Sequence, residues 1–228
     1  MTYSHGDRKQ ILHRIRKALK TPAPKPAHPG MENELPVINN YRQWLPPVGE
    51  SQEEQIALFA ANAEALKAEF ITCENEDDLR EKLTALQTAC GWKKIALPKS
   101  TFREKVLSEI TLPRVFTDGG YAIDDMESCD VGITGCDALI AQTGSVLITT
   151  HSAGGRALSV LPPHHVVIAR REQLLPDLTA AYALLQERYA RNYPTTISFI
   201  TGPSRTGDIE RILVLGAHGP KRLTIFCV

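Results

Sequence analysis

From Ser51 onward the chain alternates between stretches of helical periodicity and short apolar runs, and this alternation most narrows the folds open to it. Ser51 followed by Glu54 three residues later forms a capping-box pattern that opens a helix over residues 56–70. A short strand is expected at residues 70–73, then a helix over 77–89 ended by Gly91. A strand at 94–97 stops at Pro98, and Ser100 or Thr101 caps a helix running to Ile110, before a strand at 114–117. The second half is richer in β-branched residues, and 131–134, 145–149 and 165–169 read as buried strands. Residues 172–189 have the periodicity of a long helix, in which Pro176 must lie in the first turn or divide it. Strands are expected again at 196–200, 212–215 and 223–228. Strands separated by helices need crossover connections. The expected fold is therefore α/β, with a mostly parallel sheet covered on both faces and an antiparallel edge allowed by the close spacing of the last strands.

The segment before Ser51 has a different character. Seven of the fifteen prolines lie between Pro22 and Pro47, which predicts an extended arm, since proline fixes φ and lacks a backbone donor. Ahead of it, residues 7–20 carry Ile11, Leu12, Ile15 and Leu19 at helical spacing among basic residues, as an amphipathic helix would. Its apolar stripe is too short for strong membrane binding and suits packing on its own domain or on a second copy of the chain, so a homo-oligomer formed through this arm is one expectation. The expected division is an arm over 1–49 and an α/β domain over 50–228.

Charge and cysteine content exclude several classes. The 26 Lys and Arg balance 26 Asp and Glu, which argues against nucleic acid as the main partner. No apolar run approaches the ~18 residues of a membrane span, and the charged start is unlike a signal peptide. The expected location is the cytoplasm. Five cysteines (73, 90, 129, 136 and 227) form no C-x-x-C and no other metal-ligand spacing, so no metal site and no iron–sulfur cluster is expected in this chain. Neither a Walker loop nor a dinucleotide fingerprint is present, and the cofactor is left open.

Three polar groups could carry chemistry. Gln142-Thr143-Gly144-Ser145 precedes a strand and could form an anion-binding nest; equally, it could be a tight turn with Gly144 at positive φ. Ser204, Arg205 and Thr206 follow a strand, where loops of parallel sheets bind ligands, and could hold a phosphate or carboxylate with Asp208 capping or accepting a hydroxyl; the plainer alternative is a loop stapled by its own hydrogen bonds. His218, between Gly216-Ala217 and Gly219, is the first candidate proton carrier, though a turn histidine bonded to backbone is the commoner case. His164 and His165 point to opposite sides of one strand and so cannot share a metal from that segment.

The runs G-I-T-G-C-D-A-L-I-A-Q-T-G-S, R-A-L-S-V-L-P-P-H-H, G-P-S-R-T-G-D-I-E and G-A-H-G-P-K-R-L occur in order over about a hundred residues. With these four motifs the chain resembles the LutC/YkgG lactate utilisation family, whose LUD domain would span from about residue 50 to the end. The resemblance implies a three-layer α/β sandwich like that of sugar-phosphate isomerases and CoA-transferases. It also implies work beside iron–sulfur partner proteins in oxidising L-lactate to pyruvate. The family usually has Glu where this chain has Gln142, which removes a carboxylate base there and would leave proton transfer to His218 or Asp208. The site so expected binds a small anion through Gln142, Thr143, Gly144, Ser145, Ser204, Arg205 and Thr206. Two rival expectations are a stand-alone enzyme acting on a phosphosugar or acyl-CoA-like substrate, and a non-catalytic scaffold subunit.

Overall fold

A computed structural model describes residues 5–20, 46–206, 214–216 and 218–228. They fall into two units, Met1–Leu45 and Pro46–Val228. In the first, the basic helix α1 (His5–Lys20) exposes Ile11, Leu12 and Ile15. The proline-rich stretch from Pro22 to Pro36 lies outside the described residues.

The second unit is built on a six-stranded sheet in which every neighbouring pair is parallel. Its strands are β1 (Glu69–Thr72), β2 (Ile95–Leu97), β3 (Arg114–Phe116), β4 (Val131–Thr134), β7 (His164–Ala169) and β12 (Arg222–Cys227), in the spatial order β1-β12-β7-β4-β2-β3. A smaller mixed sheet, in the order β8-β5-β6-β9, contains β5 (Ala138–Ile140), β6 (Ser145–Thr149), β8 (Leu174–Leu175) and β9 (Ile197–Ile200). A short antiparallel pair, β10 (Arg205–Thr206) with β11 (Val214–Leu215), stands apart from both. The expected mostly parallel, helix-covered sheet is therefore present. The antiparallel pairing expected at its edge lies instead in these separate sheets.

Strand alternation sorts the residues of β7 between two cores. Val166 and Ile168 face one side, where α3 (Glu76–Cys90) supplies Leu79, Leu83 and Leu86, and α4 (Thr101–Val106) supplies Val106. Val167 and Ala169 face the other, against Phe59 and Ala63 of α2 (Gln52–Ala65) and against Leu139, Val146 and Ile148 of the small sheet. The outer face of that small sheet, Ala138, Ile140 and Leu147, is covered by Ala181 and Leu185 of α6 (Leu178–Tyr189). A fourth cluster places Met126 of α5 (Ile123–Glu127) on Ala96 of β2. Each wholly buried Leu, Ile or Phe contributes about 1.5–3 kcal/mol of transfer free energy.

Local chemistry sets the helix ends. Ser51 and Glu54 form the expected capping box at α2, and the helix stops at Ala65, before residue 70, because Lys67 turns left-handed at φ 67°. The freed residues 69–72 then pair with β12. Asn75 caps α3 by accepting from Asp77 and Asp78, and Gly91 closes it at φ 65°. Ser100 caps α4, which ends at Val106, and the Arg114 guanidinium ties the Leu107 and Ile110 carbonyls beyond it. Pro176 divides the expected 172–189 helix. Before it, Leu174–Leu175 pairs with β5, and after it Asp177 caps α6. Among the described residues no helix is long and apolar enough to cross a membrane.

Candidate functional site

A cavity of about 230 Å³ opens where residues 159–160, 200–204 and 218–220 meet the first turns of β7 and β12. Because His165 and Leu223 are the second residues of their strands, the cavity lies at the amino-terminal edge of the parallel sheet. Two backbone bonds hold the Ser204 loop against the His218 loop: Ser204 N–H donates to the Pro220 carbonyl at 2.9 Å, and Gly216 N–H donates to the Ser204 carbonyl at 2.8 Å. The proline and glycine neighbours that marked these loops in sequence fix their turns: Gly202 holds φ at 87°, where a Cβ would meet the Leu66 carbonyl at 2.6 Å. Thr201, also on the cavity wall, shares a 2.8 Å hydroxyl–hydroxyl bond with Ser145.

The inner wall carries His165, which is buried. Its Nε2 lies 2.9 Å from the Thr134 hydroxyl, and its Nδ1 has no partner among the described residues. Burial, with a smaller effect from neighbouring His164, holds its pKa down to about 3. His164 points to the opposite face, where it meets the Thr224 hydroxyl at 2.9 Å and the edge of Trp92 at 5.3 Å. Burial and the Arg222 charge lower its pKa to about 4. Both imidazoles are thus neutral at physiological pH. The cavity combines a neutral imidazole and apolar side chains inside with hydroxyls and the exposed His218 at its mouth. Such an arrangement suits a small molecule whose charged end faces outward, since an isolated charge is costly to bury.

The expected site residues separate into three places. Ser204 and His218 line the cavity together. Gln142 and Thr143 lie in a 3-10 turn between β5 and β6, closed by Gly144 at φ 60°. That turn is held by the protein itself: Asn62 Nδ2 donates to the Ala141 and Gln142 carbonyls at 2.9 and 3.0 Å, and Gln142 Nε2 donates to the Pro46 carbonyl at 3.1 Å. The Thr143 hydroxyl is buried without a partner among the described residues. Ser145 alone of this group connects to the cavity, through Thr201. Arg205 is exposed on β10 with Thr206 beside it, and Asp208 lies outside the described residues. The loop bearing Ser204 follows β9, which pairs antiparallel with β6, so it does not extend from a strand of the parallel sheet as the sequence argument assumed.

Two groups escaped the sequence argument. The sequence around His165 speaks only to metal ligation, and nothing local shows that remote loops line the space beside it. Asp137 is buried, and its Oδ1 accepts from the Tyr189 hydroxyl at 2.6 Å and from Arg188 Nη1 at 3.0 Å, while Oδ2 has no donor among the described residues. Its one local signal is a carboxylate inside the otherwise apolar C-D-A-L-I run. Among the described residues no group of three His, Cys, Asp or Glu side chains could hold a metal ion.

A parallel sheet with a second small sheet packed on one face defines a layered α/β domain. The chain belongs to the LUD domain family, whose model matches residues 99–228. It is 27% identical over 207 residues to lactate utilization protein C of Geobacillus kaustophilus, covering 85% of this chain and 86% of that protein. It is 29% identical over 186 residues to the protein of the same name from Anoxybacillus flavithermus, covering 79% and 83%. Over 112 residues, 48% of this chain, identity to the lactate utilization protein C of a Geobacillus strain, WCH70, reaches 38%. The crystal structure of a DUF162 family protein from Deinococcus radiodurans superposes with a TM-score of 0.63 at 16% identity, over 79% of this chain and 99% of that one, and has the same fold.

Proposed function

We propose that this protein serves in lactate utilisation, binding a small organic anion such as L-lactate or pyruvate in the cavity at the amino-terminal edge of the sheet. The observation that carries the reading is the meeting of Ser204, Thr201, His218 and the neutral His165 around one open cavity of about 230 Å³. Its volume fits a three-carbon acid with room for bound water. Ser204 and Thr201 would offer hydroxyl donors to the carboxylate, His218 would sit beside it at the mouth, and His165 would face the uncharged end. The names of the relatives support the pathway. Electron transfer would fall to iron–sulfur partner proteins, as the resemblance read from the motifs implies.

The test is direct. Calorimetry with L-lactate and pyruvate should give saturable binding that weakens about tenfold or more in Ser204→Ala and His218→Ala, the loss expected for one charge-assisted hydrogen bond. Wild-type affinity in both variants would sink the cavity assignment. Deletion of the gene in a host growing on L-lactate should abolish that growth, and undiminished growth would remove the pathway assignment. Turnover of lactate by the purified chain alone would mark it as an enzyme in its own right.

A further inference from the structure

The parallel sheet has a second edge, at the carboxyl ends of its strands, and the chain reverses its winding there. From β2 the connection runs outward to β3, whereas from β4 it runs the other way to β7, and β2 and β4 are neighbours. In open α/β sheets the crevice outside such a switch point is where ligands bind. Here it receives a cation. Arg103, on α4 directly after β2, reaches across to the end of β4, where a Cβ built on Gly135 would lie 3.0 Å from Arg103 Nη1 and 3.4 Å from the Ser152 carbonyl oxygen. A side chain at the first position past β4 would press on the guanidinium, which glycine leaves clear.

This guanidinium is balanced only in part. It is partly buried, its Nε is enclosed without an acceptor, and no carboxylate among the described residues pairs with it. Burial lowers its pKa and the charge of nearby Asp118 offsets part of that, while Asp118 Oδ2 accepts from the Lys99 N–H at 2.6 Å. The Thr117 hydroxyl, just past β3, is likewise buried without a partner among the described residues. More positive charge stands alongside: Arg170, just past β7, lies 4.7 Å over the ring of Phe102, and Lys99 lies 5.8 Å from that of Phe116. A planar fork of donors left unpaired in a basic crevice is matched by a carboxylate or phosphate.

We infer that the β2–β4 switch point is a second site, separate from the cavity, at which Arg103 holds the oxyanion group of a small carboxylate or phosphate ligand. This inference is independent of the cavity reading, because the two sites share no residue.

Phenylglyoxal footprinting of the wild-type protein, read by mass spectrometry, tests it, with exposed Arg14 on α1 as the reference arginine. Sodium pyruvate or sodium phosphate should slow modification of Arg103 and leave Arg14 unchanged, against sodium chloride at equal ionic strength. Protection by pyruvate alone or by phosphate alone would name the source of the oxyanion. Arg103→Gln should weaken, about tenfold or more, the anion binding whose half-saturation matches the half-protection of Arg103 in the wild-type footprint. Modification of Arg103 at equal rates in all three salts would overturn the inference, as would wild-type affinity in a folded Arg103→Gln. Loss of binding in Ser204→Ala but not in Arg103→Gln would overturn this site while sparing the cavity. If Arg103→Gln does not fold, the wild-type footprint decides alone.

Discussion

Gly144 holds φ at 60°, and a Cβ there would lie 2.8 Å from the Ala63 nitrogen and from the Asn62 Cβ. Both the backbone conformation and the contact with α2 therefore demand glycine. Gly144→Ala should cost about 1–3 kcal/mol, read as a lower midpoint in urea with an unchanged slope. The two strand histidines give a pH prediction of definite sign. Their pKa values fall from the ordinary 6.5 to about 4 for His164 and about 3 for His165, so below pH 6.5 the unfolded chain takes up protons that the folded one refuses. Their contribution is complete above pH 6.5 and is lost as pH falls toward 4 and then 3. Unfolding free energy should decline on acidification by up to about 1.4 kcal/mol per pH unit for each histidine. Urea titrations between pH 7.5 and 4.5 check it: His164→Gln and His165→Gln should each flatten the slope, and an unchanged slope in both would refute the account.

At the scale of elements, the capping box at α2 is the clearest local device, with Ser51 Oγ accepting from Glu54 N–H at 3.1 Å and Glu54 returning a bond to Ser51 N–H at 3.0 Å. Ser51→Ala should destabilise by about 1 kcal/mol, measured by thermal or urea unfolding, and a Thr replacement should recover most of it. This device was legible in the sequence because it is contained in four residues. Gly91 and the β-branched runs at β4, β6 and β7 were legible for the same reason, since each signal lies within the element it specifies. What the sequence concealed depends on partners far along the chain. Leu174–Leu175 and Ala138–Ile140 are too short to show a period, and each is a strand because of the other. Lys67 ends α2 early in a turn that no residue preference announces. In the candidate site, the small polar loops at Ser204 and His218 stood out by their flanking Gly and Pro. The wall supplied by His165 was hidden, because only the fold brings residues 159–160, 200–204 and 218–220 to it. Arg103 looked like one more charge on a helix. Its setting appears only when the strand order places β2 beside β4.

Over the whole molecule the five cysteines behave as apolar side chains. Cys73, Cys129, Cys136 and Cys227 are buried, and Cys90 is partly exposed beside Arg222. Burial raises the pKa of Cys73 to about 11 and shifts those of Cys129, Cys136 and Cys227 upward as well, so at neutral pH these four are thiols, which are poor nucleophiles and poor metal ligands. Titration of the native protein with an aromatic disulfide should modify Cys90 first, with the other four reacting at the rate of unfolding; prompt reaction of Cys136 would contradict the packing. The strand order has a further consequence, for the timing of synthesis. β12 separates β1 from β7, although β1 leaves the ribosome long before β12 is translated. Until residues 222–227 emerge, β1 has no strand to pair with, and the edge of β7 stays open to chaperones or to other nascent chains. The unit should therefore acquire protease resistance abruptly, after most of its length has been made, and a translation stall just before β12 should leave a species marked for degradation.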